Sequence, residues 1–305
     1  MVQVVLCICT CRRPEGLMRL LATLEEMDFD GELSVVVVDN DAGREGLAVC
    51  QRMAESYRWP LTGVVEEQPG MAFARNCAVR VALEQVPQFI AMLDDDEWPS
   101  RNWLAELMRI QTTTDADAVG GPVIPVFPDS SEPWSHLSDY YGTDQRRADG
   151  ARCLLYASGN FLARSECFQS LMPTPFDPSI TKTGADDMVF FRTLEQHGYQ
   201  MNWSTSGMVY ESVAPNRMSL EWLQQRHIRL GNTNVIIQRM FAPGLIHEAV
   251  RLAKTAGLLI IGLGFYIVAL PHRILRLRAS LLLYKSLGKI IGHLGRQLEY
   301  HGHGG

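Results

Sequence analysis

Four acidic side chains stand in a row at Asp94-Asp95-Asp96-Glu97, directly before Trp98-Pro99. Adjacent carboxylates repel one another, so a site that holds them needs a cation, strong hydrogen bonding or carboxyl groups that keep their protons. The apolar run Phe89-Ile90-Ala91-Met92-Leu93 in front, bounded upstream by Pro87, has the length of a buried strand. The acids then fall at a strand's C-terminal end, where open α/β sheets bind ligands. A solvated acidic loop is the other reading of the run taken alone. A second pair, Asp186-Asp187, opens an amphipathic segment that reaches His197, with Val189, Phe190 and Leu194 at helical spacing. Taken alone, acids there also suit the N-terminal end of a helix dipole.

Cysteine is the other residue type with chemistry to offer. The seven (7, 9, 11, 50, 77, 153 and 167) form no scaffold pattern. Cys7 and Cys9 share a face of the first strand, with Cys11 in the turn beyond, but no second thiolate or His pair follows at zinc spacing. They read as small buried apolar residues, and free thiols suit a reducing compartment. No charged and apolar leader pattern opens the chain.

The elements that must position these groups alternate. Val2 to Thr10 reads as a strand, Glu15 to Met27 as a helix with Pro14 in its first turn, and Leu33 to Val38 as a strand ending in Asp39-Asn40-Asp41. Leu47 to Tyr57 reads as a helix, Thr62 to Val65 as a strand and Gly70 to Val86 as a helix. This order predicts a largely parallel sheet with crossover helices. No Gly-rich Rossmann or Walker fingerprint follows the first strand. Beyond 115, Ala116 to Val126 reads as a strand broken at Gly120-Gly121-Pro122, residues 128–150 as a long surface loop, Leu154 to Arg164 as strand-like and Leu220 to Arg239 as a helix.

The net charge of −6 is unevenly spread. From residue 251 onward eight Lys and Arg face one acid, Glu299, which leaves the rest of the chain at −13. A basic, apolar tail behind an acidic body fits an anionic membrane surface, and the body repels nucleic acid. Thr255 to Leu270 is free of charge. Its sixteen residues span about 24 Å as a helix, short of a full crossing, so it reads as re-entrant or interfacial, with a true span and a helical pair packed on the body as the other readings of the tail. Leu281 to Leu298 mixes apolar and basic residues as an in-plane helix does. The division expected is a catalytic domain over 1–243 and a helical, membrane-associating tail over 244–305.

Five segments in order carry a resemblance. VVLCICTCRRPEGLMRLLATL, LSVVVVDNDAG, EQPGMAFARNCAV, FIAMLDDDEWPSRNWL and GADDMVFFRTLEQHG are similar to successive motifs of the inverting family 2 glycosyltransferases with a GT-A fold. MVYESVAPNRMSLEWLQQRHIRLGN and the tail resemble a branch that includes glucosyltransferases of bacterial exopolysaccharide assembly.

The resemblance implies an α/β GT-A fold and transfer of a hexose, glucose in that branch, from a nucleotide-diphosphate sugar to a saccharide acceptor. The acceptor would be carried on a polyprenyl diphosphate at the cytoplasmic face of the inner membrane. It implies a divalent cation, Mg2+ or Mn2+, to stabilise the leaving diphosphate. Asp96 and Asp94 would hold the cation, and Asp94 and Asp95 would contact the donor, with Glu97 supporting them. Thr10, Arg12, Asp39, Arg75, Gly159 and Asn160 would line the donor site. Asp186 corresponds to the family's catalytic base, but Ala185 replaces the usual Glu before it, and Asp187 takes the role if the register slips by one. Cys11 and Arg12 stand where relatives often have Tyr and Asn. Trp203 and Trp222 are either core or sugar-stacking residues. Glu211, Gln225, Arg226 and His227 lie near late family motifs. Two other readings stay open at this stage: a nucleotidyltransferase of similar fold, and a non-catalytic, membrane-attached member of the fold.

Overall fold

A computed structural model of the chain describes residues 2–128, 134–142 and 147–298. Its centre is a seven-stranded sheet. The strands are β1 (Gln3–Thr10), β2 (Glu32–Asp39), β3 (Leu61–Val65), β4 (Phe89–Asp94), β6 (Ala118–Gly120), β8 (Asn160–Arg164) and β9 (Met201–Trp203), in the order β3-β2-β1-β4-β8-β6-β9. The first four run parallel, and β8 is antiparallel to both its neighbours. A smaller sheet joins β5 (Glu97–Pro99), β10 (Val209–Ser212) and β7 (Val123–Val126) in the order β5-β10-β7.

The middles of β1, β2 and β4 are continuous apolar runs because both sheet faces are covered there. Along β1, Val4, Leu6 and Ile8 join one core and Val5 and Cys7 the other. The first core is completed by α1 (Pro14–Glu25), α2 (Glu45–Met53) and α4 (Trp103–Thr114). The second uses α3 (Met71–Leu83), α5 (Ser165–Gln169) and α6 (Asp186–Gln196), with Phe161, Phe168, Phe176, Phe190 and Phe191 packed ring against ring. Parallel pairing of β1 with β2 and β4 brings Thr10, Asp39 and Asp94 to one edge of the sheet.

The expected surface loop at 128–150 differs in its described part. Residues 129–133 and 143–146 lie outside the described residues. Trp134–Tyr140 forms a kinked 3-10 segment, and Leu137 and Tyr141 are buried against Trp222, Leu223 and Leu281. Aromatic burial overrides the polar composition that suggested a free loop. The strand expected from Leu154 begins only at Asn160.

Three long helices close the chain: α7 (Leu220–Phe241), α8 (Leu245–Val268) and α9 (Arg273–His293). α9 begins before the in-plane helix read at Leu281, and one of its faces is packed on α7. The approach is close: a Cβ at Gly288 would collide with the Ile228 carbonyl, and one at Gly231 with the Lys285 carbonyl. The basic residues that made α9 look like a surface helix flank a seam of Ala279, Ser286, Gly288 and Gly292. α8 is also longer than the uncharged stretch suggests, because the charged first turns belong to the same helix. Its 24 residues span about 36 Å, enough to cross a bilayer by length and composition. Ile260, Ile261, Ile267 and Val268 are exposed on it. Its start is fixed by Glu248, which accepts from Arg239 and Arg251 and pairs with His293 on α9.

Candidate active site

The carboxylate run sits at the end of β4 and turns into β5. The turn is held from below by Glu97, which is buried and accepts the Asp94 N–H at 3.0 Å. Gly159 packs against that carboxylate so closely that a Cβ would collide with Oε1. Burial, with Asp94 and Glu211 nearby, raises the Glu97 carboxyl well above the ordinary range. Glu97 thus supports the turn.

The three aspartates diverge. Asp95 is buried, accepting from Thr10 Oγ1 at 2.8 Å and Arg13 Nη1 at 3.0 Å. Burial pushes its carboxyl up to about 6 against the pull of Arg13. Asp96 is half-buried and shared between Arg13 Nη1 at 2.9 Å and Arg217 Nη2 at 3.4 Å. Asp94 is the most open, with Arg75 Nη2 at 3.7 Å. All three line one cleft of about 400 Å3 with Glu97, Gly159 and Glu211. The cleft also takes in Asp187, Trp222 and the guanidinium-bearing Arg13, Arg217, Arg226 and Arg229.

The acidic pair on α6 separates by depth. Asp186 is buried, 1% exposed, and accepts from Arg75 Nη1 at 2.7 Å. Asp187 lines the cleft. Burial, reinforced by the charge of Asp186, pushes its carboxyl up to about 7 against the pull of Arg75. Asp186 thus anchors Arg75 from within the core, whereas Asp187 is half-buried, accepts the Met188 N–H at 2.7 Å and lines the cleft. Ala185 is buried, with the smaller core cluster of Ile180, Val189 and Ile237.

Several residues expected at the donor have hydrogen-bond or ion-pair partners within the protein. Asp39 is buried and accepts the N–H groups of Asp41 and Leu47, tying β2 to the start of α2. Thr10 spends its hydroxyl on Asp95. Asn160 uses both ends of its amide, accepting from Trp103 Nε1 at 2.7 Å and donating to the Pro122 and Gly207 carbonyls. It knots β8 to α4 and to the segment before β10. Arg12 is exposed, in a left-handed conformation, and pairs with Asp41 at 2.8 Å. Arg75 is buried, not on the helix surface. Trp203 is core, whereas Trp222 reaches the cleft while stacked on Tyr141 at 5.4 Å. His227 is buried with Nδ1 at 2.8 Å from the Leu223 carbonyl, and burial holds it down at about 4. Cys7 is buried and Cys11 exposed.

Arg13, Arg217 and Arg229 are cleft arginines that the sequence motifs do not single out. Arg13 had a signal, since it stands just before the Pro14 that opens α1 beside the acidic turn. Arg217 reaches Asp96 across 121 positions, which no local pattern reveals. Glu211 on β10 pairs with Arg217 at 2.6 Å. Burial and the charge of Asp96 push its carboxyl up to about 7.

Among the described residues no group of three His, Cys, Asp or Glu is already arranged as a metal cage. The donor set still fits a hard divalent cation. Asp94 and Asp96 offer carboxylate oxygens in the same cleft as Glu211, and Asp96 is shared between the guanidiniums of Arg13 and Arg217.

A mostly parallel α/β core with a carboxylate run at a strand's C-terminal end, opening on a cleft lined by both carboxylates and guanidiniums, has the form of an open α/β sheet that binds a ligand there. The family model described as Glycosyl transferase family 2 matches residues 5–172, more than half of the chain. The succinoglycan biosynthesis protein ExoM of Rhizobium meliloti (strain 1021) is 30% identical over 298 residues, covering 97% of this chain and 94% of that one. The chain belongs to glycosyl transferase family 2. Among solved structures it is similar to the mannosyltransferase PcManGT from Pyrobaculum calidifontis in complex with GDP-Man and Mn2+, with a TM-score of 0.65 at 19% identity over 96% of this chain and 88% of that chain. It is also similar to S. aureus TarS 1-349 in complex with UDP, with a TM-score of 0.55 at 16% identity over 97% and 92%. The fold is of the GT-A type.

Proposed function

We infer that the chain is an inverting hexosyltransferase that moves a hexose, glucose being the first candidate, from a nucleotide-diphosphate sugar to a lipid-linked saccharide in exopolysaccharide assembly. The observation that carries this reading is the pairing, in one cleft, of the β4 carboxylate run with Asp187, which lines the same space. Asp187 accepts the proton of the acceptor hydroxyl as that oxygen bonds to the anomeric carbon, and the bond from that carbon to the diphosphate oxygen breaks on the opposite face. Asp96 and Asp94 would hold Mg2+ or Mn2+, which when bound neutralises charge on the departing diphosphate. Arg13, Arg217, Arg226 and Arg229 supply further positive charge to the same wall. Arg75 is a positioning residue: fixed by Asp186, it stands 3.7 Å from Asp94.

The tail supports an acceptor held at the cytoplasmic face of the inner membrane, because α8 leaves an apolar surface open and the tail carries a basic excess. The relative in succinoglycan biosynthesis supports the exopolysaccharide setting. The test incubates the purified full chain with nucleotide hexoses, Mg2+ or Mn2+, and a saccharide-diphosphate-lipid, and reads product length and anomeric configuration. One hexose added with inverted configuration is expected, with a drop of about 100-fold or more for Asp187→Asn. A retained configuration, or diphosphate release from a nucleoside triphosphate without sugar transfer, would overturn it.

A further inference from the structure

A second cavity of about 800 Å3 lies between α7, α9, α6 and the 3-10 segment. It shares the wall residues Gly142, Tyr156, Met188, Arg226 and Leu230 with the catalytic cleft, so the two spaces adjoin. Its lining is cationic and apolar together: Arg226, Arg278 and Lys285 stand among Leu230, Leu282 and Met188. Asp139 is the acid among its described lining residues, and Arg278 lies 3.8 Å from it. The Nε–H of Arg278 is buried and has no hydrogen-bond partner among the described residues. Behind the cavity, Lys289 donates to Asn234 Oδ1 at 3.1 Å, and burial, with Lys285 and Lys254 nearby, presses its ammonium down. Beyond α9 lies the open apolar face of α8.

We propose that this second cavity is the acceptor's anchoring site, holding the diphosphate of a prenyl-type lipid against Lys285 and Arg278 while the attached saccharide reaches Asp187 past Met188 and Tyr156. The proposal rests on the lipid-linked acceptor reading above and assigns that acceptor its residues. Charge complementarity selects the occupant: two phosphates match the cluster of cations, and the leucines beside them match an isoprenoid chain. A nucleotide donor does not need this space, because its diphosphate is served by the β4 run and Arg13 in the neighbouring cleft. Met188, next in the chain to Asp187, lines both spaces, so a saccharide rooted in the cavity projects toward that carboxylate.

The test measures binding of farnesyl diphosphate, farnesol and inorganic diphosphate to the full chain in detergent micelles, for wild type and Lys285→Gln. Nucleoside diphosphate binding is measured in parallel. Farnesyl diphosphate is expected to bind about tenfold or more tighter than either fragment, and Lys285→Gln to weaken it about tenfold while leaving nucleotide binding unchanged. Arg278→Gln serves as the second variant and is expected to act in the same direction. Equal binding of farnesol and farnesyl diphosphate, or no effect of either substitution, would sink the anchoring site. Loss of nucleotide binding in wild type would instead strike at the glycosyltransfer reading and leave the farnesyl diphosphate result standing by itself.

Discussion

Arg75 and Asp186 form an ion pair at 2.7 Å with both side chains almost wholly buried. The pair crosses from α3 to the first residue of α6 and so locks the helix that presents Asp187. Removing one partner strands a buried charge, which costs about 3–5 kcal/mol. Arg75→Met is expected to lose about that much in urea denaturation, and Asp186→Asn to destabilise in the same direction. A loss below about 1 kcal/mol for Arg75→Met would show that the pair is not structural.

Asp187 should behave in the opposite way. Its carboxyl is raised to about 7, so between the unfolded value near 4 and that value the native state binds the extra proton. Its contribution to stability is therefore best at low pH and is lost as pH rises through 7. Asp187→Asn removes the penalty, and its thermal midpoint at pH 8 is expected to exceed wild type while transfer is lost. In wild type, kcat/KM is expected to rise through about pH 7 as the base deprotonates. A midpoint below wild type for Asp187→Asn, or a rate flat from pH 6 to 8, would count against Asp187.

These contrasting roles mark where sequence reading reached its limit. The strand end at Asp94, the helix from Asp186 and the break at Gly120-Gly121-Pro122 were legible because apolar runs and acidic or Gly-Pro stops are local signals. The pairing of Asp186 with Arg75 was not, because depth along a helix face depends on what packs against it. The partners of Asn160, namely Trp103, Pro122 and Gly207, come from distant parts of the chain and leave no local signal. β5, β9 and β10 span only three or four residues, too short for a period to show. α4 has no counterpart among the elements expected from the sequence.

Arg13 bridges Asp95 and Asp96, and Arg217 bridges Asp96 and Glu211. A cation entering at Asp96 competes with both guanidiniums. Chelation with EDTA is expected to abolish transfer and added Mn2+ to restore it. Asp96→Asn is expected to weaken Mn2+ binding, measured by calorimetry with a nucleoside diphosphate present, by about tenfold or more. Asp39→Asn, which weakens the tie to α2, is expected to lower stability. Full activity in EDTA would remove the cation from the mechanism.

The seam between α7 and α9 makes the last contrast. Gly288 has no room for a side chain, because any Cβ meets the Ile228 carbonyl, whereas Gly257 on α8 has nothing within 4 Å of where a Cβ would stand. A Cβ at Gly288 must push two helix backbones apart, and overpacking of this kind costs about 1–3 kcal/mol. The same change at Gly257 removes a helix-interior glycine and should gain up to about 1 kcal/mol. Denaturation of the full chain in detergent is expected to show Gly288→Ala destabilised and Gly257→Ala neutral or stabilised. The Gly288 variant should also lose farnesyl diphosphate binding, because α9 carries Arg278 and Lys285 into the second cavity. If the two substitutions moved stability equally, α9 would not be seated on α7 by close backbone contact.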